Sequence, residues 1–254
     1  MQTFNRLLFL LTLTATFSCS PRLLTKDYDE VKIQQVYAEV IGDAAKPQPW
    51  DISQSLTQVT PANPDLVRKT IAGQEYILVA TWQNDTTYYK TNPSTGFYNT
   101  GNYPIWVTLA PQLQQKCQSP AFGRREGLDL RLKQLLGLPP DTKKQYFVEF
   151  WVQPKDLFRP CPDPEITDRA CELAFPADVT EEHKDWINDL RLASYYNPEW
   201  NKNYPWTELG YTYDWNRRNK TNVGLSEFVI QKNSNLVIHH ISTTQDYCSM
   251  YQTR

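Results

Sequence analysis

Three stretches carry side chains that could do chemistry. In LSEFVI, Leu225 to Ile230, a glutamate, Glu227, lies within an apolar, strand-like run. A carboxyl held there has a raised proton affinity unless it is paired, which is what a general acid or base needs. Glu149, inside QYFVEFWV at Gln145 to Val152, has the same character, and for either acid the structural alternative is a salt bridge to Lys or Arg. In DLFRPCPDPEITDRAC, Asp156 to Cys171, Arg159 stands between Phe158 and Pro160 and could offer a rigid guanidinium to a carboxylate or phosphate, with Asp163 and Glu165 as acid, base or cation ligands. Three prolines and two cysteines crowd the same stretch, so its alternative reading is a stiffened loop in which Arg159 pairs with Asp156 or Asp163.

The third stretch is YPWTELGYTYDW, Tyr204 to Trp215, with five aromatic rings in twelve residues. Trp206, Tyr211, Tyr213 and Trp215 could line a cleft that stacks a sugar or a nucleobase, with Thr207, Glu208, Thr212 and Asp214 supplying hydrogen bonds. The alternative is a turn and strand that pack the rings into the core through Gly210. The histidines suggest no metal site: His183 falls on the apolar face of a helix, and His239 and His240, adjacent in a strand, are expected on opposite faces. No phosphate-binding glycine loop, G-x-S-x-G elbow or H-E-x-x-H motif occurs, so no metal and no cofactor is expected.

These residues must be positioned by the elements around them. Strand-like runs occur at Tyr76 to Trp82, Pro104 to Ala110 and Gln145 to Val152, the last apolar enough for a central strand buried on both faces. LSEFVI and LVIHHI, Leu236 to Ile241, read as a hairpin across a five-residue loop. In GLDLRLKQLLGLPP, Leu128, Leu132, Leu135 and Leu136 make one helical face, with Gly137 as the C-terminal cap. In DVTEEHKDWINDLRL, Asp178 and Glu181 suggest a capping box, and His183, Trp186, Ile187 and Leu190 share a face. Helices and strands mix without βαβ repetition, which predicts an α+β domain with a mainly antiparallel sheet and disulfide-stapled loops.

The first residues, MQTFNRLLFLLTLTATFSCS, have one cation, a short apolar run and then Cys19. The run is too short to span a bilayer, for which about 20 residues are needed, and fits a secretory leader. It is similar to the bacterial lipoprotein signal, in which the chain is cut before a cysteine that is then lipidated; Thr16 departs from the leucine usual at that position. The organisation expected is a leader at 1–18, a tether and irregular arm at 19–70, rich in Pro and polar residues, and a globular domain at 71–254. In residues 19–70, Val31, Ile33, Val36, Val40 and Ile41 could form a short helix or pack on the domain. With Cys19 lipidated, Cys117, Cys161, Cys171 and Cys248 remain, an even number in an oxidising compartment. Three pairings are open. The proline-stiffened spacing favours Cys161 with Cys171, leaving Cys117 for Cys248. The formal net charge of −2 argues against general nucleic-acid binding.

The motifs FVEFWVQPKDLFRPCPDPEI, YPWTELGYTYDW, GLSEFVI and RLKQLLGLPP resemble a family of uncharacterised bacterial exported proteins, which implies export and a single domain and brings no activity with it. LSEFVI also resembles the glutamate-bearing strand of the ADP-ribosyltransferase type of fold, with Glu227 as that acid, although the early arginine or histidine strand of those enzymes is missing here. The expectation is a cell-envelope lipoprotein, held to a membrane by its N-terminal lipid, that acts as a binding or interaction module for a small molecule or sugar. The alternative is a secreted enzyme acting on a nucleotide or sugar, with Glu227 as the acid and Arg159 or Asp214 assisting.

Overall fold

A computed structural model describes residues 30–199 and 202–249 of the chain. The expected leader and Cys19 lie outside the described residues. Two strands organise the core: β2 (Gln74–Gln83) and β5 (Tyr146–Val152) pair antiparallel from Ile77↔Val152 to Gln83↔Tyr146. Both are buried on two faces, as the continuous apolar run at 145–152 requires. Ile77, Val79, Val148 and Phe150 enter one apolar layer, while Leu78, Trp82, Phe147 and Trp151 enter the other, following the period of two.

Around this pair stand β1 (Arg68–Ile71), β3 (Tyr98–Asn99), β4 (Ile105–Leu109), β6 (Leu157–Phe158), β7 (Tyr211–Tyr213), β8 (Val223–Ile230) and β9 (Asn235–Thr243). Among the described residues they form one nine-stranded sheet with every pairing antiparallel, in the order β3-β9-β5-β2-β4-β8-β6, with β1 on β2 and β7 on β8. The fold class is α+β, as expected. The expected hairpin is not there: β8 pairs with β4, β6 and β7, β9 pairs with β5 and β3, and three strands separate the two. Four interstrand spacings amount to about 19 Å in a flat sheet. The connection at 231–234 turns back through Asn233, with φ 57°, and is too short for that. The sheet is therefore curled, and Leu157, Ile230 and Leu236 meet inside the curl in the first apolar layer.

Helices cover the second layer. α2 (Ala110–Cys117) and α5 (Thr244–Ser249) lie side by side and are joined by the Cys117–Cys248 disulfide; α3 (Leu128–Leu135) adds Leu132 and Leu135. α3 ends as its sequence predicts. Gly137 takes φ +67°, its N–H donates to Gln134 O, and Leu138 N–H donates to Lys133 O, a Schellman closure that satisfies the last carbonyls. α4 (Glu181–Tyr195) has Thr180 as its N-cap, whose hydroxyl accepts from His183 N–H at 3.3 Å. Asp178 thus lies outside the first turn, and the expected Asp178–Glu181 box gives way to the hydroxyl nearest the free amides.

From Glu30 onward the arm is built into the domain. α1 (Glu30–Ala44) buries Tyr37, Ile41 and Ala44 against Tyr213 and Trp215, with the Tyr37 and Trp215 rings edge to face at 5.6 Å. The irregular stretch after it delivers Val59 and Leu66 to the first layer. Apolar spacing at i, i+4 and i+7 outweighs the polar composition of this segment.

Candidate functional site

The β2–β4 junction determines where a ligand could enter. The two strands pair only at Val79↔Leu109 and Ala80↔Thr108. Beyond that, Thr81 to Gln83 continue on β5 and Ile105 to Val107 continue on β8, so the sheet splits into two halves that diverge. A two-residue turn would have zipped the strands together; here residues 84–104 connect them, and β3 within that stretch is drawn off to β9. A crevice of 990 Å³ opens in the gap.

Its walls are aromatic. Tyr89 and Tyr98, edge to face at 5.4 Å, stand on one side, and Trp106 and Trp206 on the other. Charge is nearly absent from its lining: among the described residues Glu227 is the one acid and Lys144 the one base. Burial lowers the pKa of Lys144 and pushes that of Glu227 up to about 8. The Glu227 carboxyl has no hydrogen bond or ion pair among the described residues. Directly across from it, in register, Thr108 buries a hydroxyl that also lacks a hydrogen-bond partner. Cross-strand neighbours stand about 5 Å apart at Cβ, so two polar groups without partners share the crevice wall. A buried hydroxyl is normally satisfied, so Thr108 calls for a water or a ligand, and the half-buried Glu227 carboxyl faces the same crevice.

The residues expected to assist Glu227 lie elsewhere. Arg159 is fully buried in the proline-rich loop. It donates to the Asp168 carboxylate, to the carbonyls of Asp168 at 2.7 Å and Ala170 at 3.2 Å, and to Thr57 O at 3.0 Å. Its acid partner is therefore Asp168, not Asp156, which pairs with Lys155, and not Asp163, whose carboxylate accepts from Glu165 N–H. Glu165 caps Thr167 within the same loop. The Cys161–Cys171 disulfide closes the loop, and Arg159 rivets it to the chain at Thr57. Asp214 is held by both guanidinium nitrogens of Arg131, at 2.9 and 2.7 Å, and accepts from Asn219 as well. Glu227, Asp214 and Arg159 are thus not brought together.

The aromatic stretch at 204–215 divides in the same way. Trp206 lines the crevice and donates its indole N–H to Pro160 O at 3.0 Å. Tyr213 and Trp215 pack under α1, while Tyr211 packs with Leu56 and the Cys161–Cys171 disulfide. The polar side chains between them work internally: Thr207 donates to Tyr211 O, Glu208 binds Arg191 at 2.6 Å, and Thr212 donates to Leu135 O. Gly210, at φ +71°, lets this turn press onto the disulfide loop; a Cβ there would stand 2.7 Å from Cys171 Sγ. Its carbonyl accepts from Glu227 N–H at 2.9 Å, so the turn also seats the strand that carries the acid.

His183 is a packed residue, as expected. Its Nε2 lies 2.8 Å from Cys161 O, and a carbonyl partner makes that nitrogen the donor; burial lowers its pKa. His239 and His240 depart from expectation. A bulge between Glu149 and Phe150 inserts an extra residue into β9, and both histidines border one cavity of 930 Å³ together with Glu149. A bulge sets two residues against one and breaks the alternation of faces. No group of three or more metal-ligating side chains occurs among the described residues.

Sequence reasoning missed Thr108, Trp106, Tyr89 and Tyr98. The available signal was the long connection at 84–104 between two strong strands, because structureless connections of that length are uncommon and are usually functional when ordered. Compared with known proteins, the chain matches no family model, no curated protein and no solved structure.

Proposed function

We propose that this chain is an envelope lipoprotein whose domain binds a small neutral, ring-bearing ligand in the crevice between β2 and β4. One observation carries the reading: the buried Thr108 hydroxyl, which lacks a partner, and the half-buried Glu227 carboxyl across from it sit in an aromatic wall with little other charge. At neutral pH a glutamate with a pKa of about 8 is mostly protonated and can donate as well as accept, as can the threonine hydroxyl. Rings from both halves of the sheet offer faces for stacking. A dinucleotide would carry its pyrophosphate into a crevice with one lysine, which favours the neutral ligand over an enzyme acting on a nucleotide.

Titrating tryptophan fluorescence with a panel of neutral sugars and nucleosides tests this. Glu227→Ala and Thr108→Val are each expected to weaken whichever ligand binds by about tenfold or more, the cost of removing one hydrogen-bonding group from a desolvated site. If both variants bind with unchanged affinity, the crevice is not the site.

The envelope address is supported by the leader-like residues 1–18 just before Cys19 and by the two disulfides, a pairing that oxidising compartments produce. Cys19→Ser is expected to move the protein from the detergent phase to the aqueous phase and to remove the acyl mass from its N-terminal peptide. Unchanged partitioning, with no acyl group on the native protein, would refute lipidation.

A further inference from the structure

We infer that the ligand of this crevice is a neutral saccharide chain, which enters with one residue against Glu227 and Thr108 and leaves across Tyr88 and Tyr103. The inference rests on the proposed binding site and adds the class of its ligand. The inner rings of the crevice, Trp82 and Trp206, are 5% and 3% exposed, whereas Tyr88 and Tyr103, which line the same crevice, are 74% and 80% exposed. A single ring at the inner end would leave both tyrosines in water. A chain uses them, because the C–H face of a pyranose is apolar and stacks on an aromatic face while its hydroxyls stay hydrated.

The outer segment is held ready for this. Thr100 N–H donates to Ser234 O at 3.0 Å, Asn233 N–H donates to Gly101 O at 2.7 Å, and the Thr100 hydroxyl donates to Gln231 O at 2.9 Å. These bonds clamp the 98–103 stretch to the β8–β9 connection, so Tyr103 follows a fixed turn rather than a free loop. The polar groups on the crevice suit hydroxyls: Gln83, Asn99 and Asn102 are neutral amides, and Glu227 and Thr108 each donate and accept, as a sugar hydroxyl does. The near absence of cations argues against a polyanionic chain. One carboxyl in the lining is also too few for glycosidic cleavage by the usual pair of acids, so the chain is bound and not cut.

The test is calorimetry on the full, oxidised domain with gluco-, manno- and N-acetylchito-oligosaccharides of increasing length. In at least one series the affinity is expected to rise with length and level off after a few units. In the Tyr88→Ala/Tyr103→Ala variant that rise is expected to fall by about tenfold, with the shortest binding sugar changed less than about twofold, as two lost stacking contacts imply. Both tyrosines are exposed, so folding is expected to survive, checked by an unchanged melting temperature. Length-independent binding that still responds to Glu227→Ala would overturn the chain and leave the crevice reading standing. Binding only of a nucleoside, or of an extended peptide along the open strand edges, would overturn the saccharide. If no member of any series binds, the inference fails outright.

Discussion

Glu227→Gln is expected to stabilise the protein at pH 8.5 by roughly 3–5 kcal/mol and to change it little at pH 4. Burial alone raises this carboxyl from its ordinary value of 4.5 to about 8. Between those two values the folded state holds a proton that the unfolded state has released. Stability therefore falls as pH climbs from about 4.5 to about 8, and the deficit is complete above that. A shift of that size corresponds to just under 5 kcal/mol at about 1.4 kcal/mol per pH unit. That is an upper bound, because the Glu227 side chain is only half-buried and water at the mouth of the crevice screens its charge. Glutamine has the same shape and does not ionise. Its variant should show a melting temperature about 6–15 °C higher at pH 8.5, with the gap closing as pH falls. Parallel melting curves of the two proteins from pH 4 to 9 would sink the assignment of a desolvated, unpartnered acid. An acid kept at such a cost is what a binding site retains, since stability and function trade against each other there.

The opposite sign is expected at Arg159. Arg159→Met keeps the volume and removes the charge, yet it is expected to destabilise the oxidised protein by about 3–5 kcal/mol. Asp168 is half exposed and can rehydrate, so the larger part of the loss lies with the carbonyls of Thr57, Asp168 and Ala170, which would be left without their donor. The proline-rich loop would remain closed by its disulfide and bonded to the arm through Leu56 N–H to Arg169 O and Val59 N–H to Ile166 O, but would lose the buried guanidinium that joins it to Thr57. Limited proteolysis should then cut first between Cys161 and Cys171, with both fragments still linked until reduction. A loss below about 1 kcal/mol, with the loop still protected, would mean that the disulfide and prolines hold it without the arginine.

Much of this architecture is legible in the order of the residues. Strands form within the runs at 76–82, 104–110 and 145–152, with Ala110 already opening α2, and 128–135 forms a helix closed by Gly137, because their period and end signals are local and agree with their burial. The cysteine pairing follows from parity and spacing, and both disulfides have the expected partners. An acid in an apolar strand allows either a raised proton affinity or a salt bridge, and for Glu227 the fold leaves the first. Arg159 marks the boundary of such reading: the stiffness of its loop is written in the prolines and cysteines, but its partner is not the acid nearest in sequence, since Asp168 lies across the loop that the disulfide closes.

Local signals in the chain specify the central strands, the helix at Leu128–Leu135 and the short Cys161–Cys171 staple, since each depends on near neighbours, and parity then leaves Cys117 for Cys248. Tertiary structure alone decided that β8 and β9 part company, that three of the four rings from 206–215 turn inward to the core, and that Thr108 stands opposite Glu227. Strand pairing depends on which edges stay free once the most apolar strands, β2 and β5, have buried both faces. That competition runs over the whole chain, and the crevice is the gap it leaves where β4 follows β8 instead of β2.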